Sequence, residues 1–124
     1  MSAAILIVSV GTAQSTARQA LVIPLSASGG YQELLQGAPQ TAGVRSGFVR
    51  LKPGETVGWH TTGAHEETLV ILHGKGAALI DGEPDHPFVS PAVTYIPPAT
   101  RHNVQNTGSE PLEYVYVVAP VARK

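Results

Sequence analysis

The chain has 124 residues, enough for one domain with its own core, and 43% of them are apolar, which excludes a disordered chain. A net charge of -1 leaves no footprint for nucleic acid or for an anionic membrane surface. The absence of cysteine excludes disulfides, thiolate metal sites and a cysteine nucleophile.

Residues 3–10 form an apolar run followed by the small residues Gly11, Thr12 and Ala13. No Lys or Arg precedes the run, and it is too short to span a bilayer, so it reads as a β-strand of a cytoplasmic protein. Its alternative is a secretory signal over residues 1–13, which would make the protein periplasmic or secreted. Residues 9–19 are small and polar, as in a loop. Leu21, Val22 and Ile23 suggest a short strand ended by Pro24. Ser28-Gly29-Gly30 is a turn, and residues 31–36 read as a single helical turn stopped by Gly37. No long helix is expected.

From Val44 onward, short apolar runs recur between turn residues: 47–51, 56–60, 67–72, 76–80, 93–96, 102–106 and 112–118. Asp81-Gly82 marks a hairpin, because both residues tolerate the positive φ of a tight turn. Seven or more short strands at this spacing predict an all-β antiparallel sandwich or barrel. The organisation expected is an N-terminal strand and loop extension over residues 1–43, packed on the barrel or on a partner, and a barrel over residues 44–124.

Chemistry concentrates in two segments. Strand alternation puts His65, Glu67, Leu69 and Ile71 on one face. His65 and Glu67 would then lie about 6–7 Å apart, compatible with a shared metal. On the second segment, His102, Val104 and Asn106 share a face. Imidazoles plus one carboxylate suit a divalent first-row metal and leave positions open for water, substrate or dioxygen. Other polar residues have plainer readings: His73 and His86 as surface histidines beside turns, Glu66 as solvated, and Arg50 as an outward solvated side chain. Trp59 and Tyr95 serve equally as core or dimer contacts and as pocket walls.

The two segments resemble the paired motifs of the cupin superfamily. Gly54 is followed by five residues and His60, Glu67 follows Thr62 after four, and Gly74 follows Glu67 after six. In the second motif, Pro91 stands in the first Gly position, Pro97 matches, Ala99 replaces the second Gly, and His102 and Asn106 match. Sixteen residues separate Gly74 from Pro91, and the resemblance covers residues 44–119. It implies a double-stranded β-helix, or jelly roll, and a divalent transition metal (Fe, Mn, Ni, Cu or Zn) held by His60, Glu67 and His102. Thr62 occupies the place of the family's second histidine, so His65 or a water fills the remaining position. Glu67 would serve as ligand or as proton acceptor.

Tyr114, Tyr116 and Val118 alternate with Val115 and Val117, so both faces of the last strand are apolar or aromatic. One face would line the barrel and the other would be covered by a second sheet or a partner, which suggests a homodimer. Two functions follow from the resemblance. One is a metal-dependent small-molecule enzyme, such as a dioxygenase, an isomerase or a decarboxylase. The other is a non-catalytic module with a degenerate metal site that binds or senses a small ligand in the barrel. A storage role fits poorly with one barrel. No cluster of Lys, Arg and Asp is present for sugar phosphates.

Overall fold

A computed structural model describes residues 17–122. The apolar run at residues 3–10, with its strand and signal readings, lies outside the described residues. Eight strands follow in chain order: β1 (Tyr31–Gln36), β2 (Arg45–Leu51), β3 (His65–His73), β4 (Lys75–Ile80), β5 (His86–Val89), β6 (Ala92–Ile96), β7 (His102–Asn106) and β8 (Leu112–Pro120). They form a five-stranded sheet in the order β1-β2-β8-β3-β6 and a three-stranded sheet in the order β5-β4-β7, with every pairing antiparallel. This is the expected all-β jelly roll. No helix among the described residues is long and apolar enough to cross a membrane.

The core follows from alternation. On β3, Glu67, Leu69 and Ile71 are buried while Thr68 and Val70 are only half-buried. Leu51, Leu69, Ile71, Phe88, Ile96, Val104, Leu112 and Tyr114 meet between the two sheets. The β4–β5 hairpin turns at Asp81-Gly82, where Gly82 has φ 78° and the Glu83 N–H donates to the Ile80 carbonyl at 3.0 Å. Gly74 is required by space as well as by its φ of 87°, since a Cβ there would lie 2.6 Å from the Pro111 carbonyl oxygen.

Four local expectations are corrected. Residues 31–36 form an edge strand rather than a helical turn, because pairing with β2 overrides local propensity; a bulge between Glu33 and Leu35 bends it. Leu21, Val22 and Ile23 form no strand. That segment is instead fastened by side chains: Gln32 donates to the Pro24 carbonyl at 3.1 Å and accepts from the Ser26 N–H at 2.7 Å. Arg50 completes the fastening, so it is not a solvated side chain. Its guanidinium donates to the carbonyls of Gly29 at 2.6 Å and Ser26 at 2.9 Å, and pairs with Glu113 at 3.4 Å.

The fourth correction bears on the site. Residues 56–60 make only two isolated bridges, Thr56 to Gln105 and His60 to His102. Gly58, at φ 96°, turns the chain out of the extended conformation, and its N–H is taken by the Asn103 side-chain oxygen at 2.9 Å. The segment thus follows β7 through single contacts, among them the Val57 N–H to the Val104 carbonyl at 3.1 Å, without forming a regular strand.

Candidate metal centre

The bridge between His60 and His102 is reciprocal: each N–H donates to the other's carbonyl, at 2.9 and 2.8 Å. This locks the two backbones in register and brings the rings to 4.3 Å between centroids, inclined at 61°. Glu67 reaches toward them from β3 of the opposite sheet. One nitrogen or oxygen from each of His60, Glu67 and His102 falls within 4.8 Å of the others. His102 is fully buried and Glu67 is 5% exposed, whereas His60 sits at the solvent side.

The hydrogen bonds fix the chemistry of this group. His102 Nδ1 lies 2.8 Å from the Thr100 carbonyl, and His60 Nδ1 lies 2.8 Å from the Gly58 carbonyl. A carbonyl can only accept, so both Nδ1 atoms carry the proton and donate. Each neutral ring then has Nε2 as its only lone-pair nitrogen. His102 Nε2 faces Glu67 Oε2 at 2.9 Å, yet neither atom has a properly aligned hydrogen-bond partner. Two acceptors buried this close repel unless a proton or a cation lies between them. An imidazolium at His102 is one answer. Burial alone lowers its pKa, but the Glu67 carboxylate and the Thr100 carbonyl outweigh that and raise it above the ordinary histidine value. A divalent cation would be the other answer, and it would have His60 within reach as well. Two imidazole nitrogens, oriented through their far N–H groups by backbone carbonyls, plus a carboxylate oxygen form a donor set suited to a divalent transition metal.

His65 shares the face of Glu67 but is not brought into this group. It opens β3 opposite Pro120, and its Nδ1 lies 3.2 Å from the Thr62 carbonyl. The Thr62 hydroxyl donates to the His65 carbonyl at 3.0 Å. His73 lies beside the Pro111 carbonyl and Glu110, and His86 pairs with Glu83 at 2.9 Å, both at the surface. Trp59 is an outer residue under the Arg101 guanidinium, which lies 4.9 Å from the ring.

The three residues do not all face the same surroundings. His60 and Glu67 border a cavity of about 580 Å³ that runs between the sheets toward β1 and β2. Its walls include Val49, Leu51, Val104, Tyr114 and Tyr116, and Arg45 and Glu33 stand on its rim. The cavity is within the size range of small-molecule sites. Gly47 makes room for one wall: a Cβ there would lie 2.6 Å from the Tyr116 ring. Tyr116 in turn stacks on Tyr31, with their hydroxyls 2.5 Å apart. The contributions of Tyr31, Glu33 and Arg45 escaped the sequence reading. The strand pairing of residues 31–36 with β2, which puts them there, was the missing signal.

Residues 47–118 match the family described as Cupin domain. Polyketide synthase CurC from Streptomyces cyaneus is 33% identical over 89 residues, covering 69% of this chain and 57% of CurC. Tetracenomycin polyketide synthase protein TcmJ from Streptomyces glaucescens is 28% identical over 104 residues, covering 82% of this chain and 68% of TcmJ. The chain thus spans little more than half the length of CurC. Among solved structures, a Cupin 2 conserved barrel domain protein from Salinispora arenicola CNS-205 superposes with a TM-score of 0.68 at 22% identity, covering 84% of this chain and 92% of that one.

Proposed function

Since the chain belongs to the cupin domain family, we propose that it is a divalent-metal cupin enzyme acting on a small oxygenated molecule of polyketide type. His60, Glu67 and His102 are its ligands in this reading, and the ion borders the cavity. The observation that carries it is the meeting of two Nδ1-protonated imidazoles and a carboxylate, three groups that offer lone pairs and no proton to one another.

With three protein ligands, the metal would supply Lewis acidity and open positions for a substrate oxygen, water or dioxygen. The protein's own part is to orient the two rings, exclude water from the His102 side and present an apolar wall to the substrate. Glu67 would serve the metal as a charged ligand, and its carboxylate is also the proton acceptor nearest the two rings. Among the described residues that line the cavity, Arg45 is the only Lys or Arg, which disfavours heavily phosphorylated substrates and fits a compact, mostly apolar one. The names of CurC and TcmJ support a polyketide, a carbon skeleton bearing regularly spaced ketone or phenol oxygens.

The test is turnover of polyhydroxylated aromatics and 1,3-diketones by metal-loaded and chelated protein, followed by mass spectrometry of the products. Conversion that requires the metal supports the reading. A loaded protein that binds such compounds and leaves them unchanged favours the second reading, a ligand-binding module. Thr62 favours that alternative, because its hydroxyl is turned to the His65 carbonyl rather than replacing the missing imidazole.

A further inference from the structure

Tyr114 is 2% exposed, and its ring lines the cavity that His60 and Glu67 border. Among the described residues, no group makes a hydrogen bond to its hydroxyl. Although the residue is buried, its hydroxyl is not among the buried unpartnered atoms, so the oxygen reaches the cavity space rather than a dry interior. The neighbouring phenols differ: Tyr116 and Tyr31 satisfy each other. Tyr114 lies centrally on β8, opposite Ile71 of β3, so its ring is held by the core on its own face and cannot swing out to solvent. Burial, then the Glu67 carboxylate, then Tyr116 all push its pKa up, so the phenol keeps its proton.

A hydroxyl on a core-held ring, with no protein acceptor and open to a cavity with an apolar wall, is a donor available to whatever enters the cavity. We infer that Tyr114 donates a hydrogen bond to a ketone, enolate or phenolate oxygen of the bound molecule and thereby sets which way round that molecule lies. The inference deepens the proposed function and rests on its reading of this cavity as the ligand site. A ligand with one oxygen at the His60–Glu67 side and another at Tyr114 would be gripped at two points across an apolar wall. A ligand with a single oxygen would be gripped at one.

The experiment uses the metal-loaded full chain, 4-nitrocatechol as probe, and the Tyr114→Phe variant. Phe keeps the ring and removes only the hydroxyl. Without a ligand, the variant should be at least as stable as the parent, because no hydrogen bond within the protein is lost. Its metal content should be unchanged. Its affinity for 4-nitrocatechol should fall by about tenfold, the loss of one donor to a charged acceptor. The absorption band of the bound probe should also shift, since a phenolate that loses a hydrogen bond absorbs at longer wavelength.

Equal affinity and an unshifted band in Tyr114→Phe would overturn the inference while leaving the proposed function standing. A lowered melting temperature of the ligand-free variant would overturn it as well, because the hydroxyl would then have a structural partner. A metal-loaded parent that binds no 4-nitrocatechol would overturn both the inference and the cavity reading beneath it.

Discussion

His102 Nε2 and Glu67 Oε2 stand 2.9 Å apart in a buried site, and the far nitrogen of the same ring is already committed to the Thr100 carbonyl. Neutral imidazole and ionised carboxylate therefore confront each other as two acceptors. Replacing Glu67 by Gln puts an amide N–H where the carboxylate oxygen was and lets it donate to Nε2. At a pH above the raised His102 pKa, where the ring is neutral, the Glu67→Gln protein without metal should be as stable as the parent or more stable, by up to about 1 kcal/mol. Its stabilisation by added metal should be largely lost. Thermal unfolding at that pH, with and without a chelator, reads both effects, and a chelated variant several degrees less stable than the parent there would contradict the acceptor–acceptor geometry.

The same pair predicts a pH dependence. The folded-state pKa of His102 is raised above its ordinary 6.5. The charged pair therefore stabilises the metal-free protein fully below about pH 6.5 and ceases to do so as pH rises through the higher folded value. Metal needs the unprotonated ring, so metal-induced stabilisation runs the other way and grows across the same interval. Melting temperatures of chelated and metal-loaded protein between pH 6 and 9 should diverge as pH increases. Parallel curves would count against the shared role of His102.

Asn106 belongs to the second motif yet has no place in the metal group. Its Nδ2 donates to the carbonyls of Leu51 at 3.0 Å and Glu110 at 2.8 Å, and its Oδ1 accepts from the Gly108 N–H at 2.8 Å. Fully buried, it ties β7 to the end of β2 and to the loop before β8. Asn106→Ala would strand these backbone groups and should cost about 3 kcal/mol in denaturant unfolding, with metal stoichiometry preserved in the folded fraction.

Ala99 replaces the second glycine of the same motif and sits at φ 54°, in the left-handed region. Its N–H donates to the Gly63 carbonyl at 2.7 Å, which holds the backbone in that shape. Ala99→Gly should relieve the conformation and stabilise the protein by up to about 1 kcal/mol, seen as a rise in melting temperature. A loss of stability would show that the alanine methyl makes a contact worth more than the strain.

Much of this was legible in the sequence where period two governs. Glu67, Leu69 and Ile71 face inward as their spacing requires, and His102 and Asn106 share the interior face of β7. His60 was reachable only through motif spacing, because it lies in a segment that Gly58 takes out of the extended conformation. Alternation identifies a face but not a position along it, which is why His65 matches Glu67 in parity and still lies away from the group, at the mouth of β3. The helical turn expected at residues 31–36 failed because pairing with residues nine to eighteen positions away decided that segment. The free hydroxyl of Tyr114 has no signature in sequence, since being unpartnered is a property of the assembled interior.

The most direct measurement is metal content by elemental mass spectrometry, on protein purified without chelators, for the parent and for His102→Ala. The account predicts about one equivalent of a divalent transition metal per parent chain and none in a variant that remains folded. A parent chain that stays metal-free after reconstitution, or a variant that keeps its full equivalent, would contradict the assignment of His60, Glu67 and His102 as the metal centre.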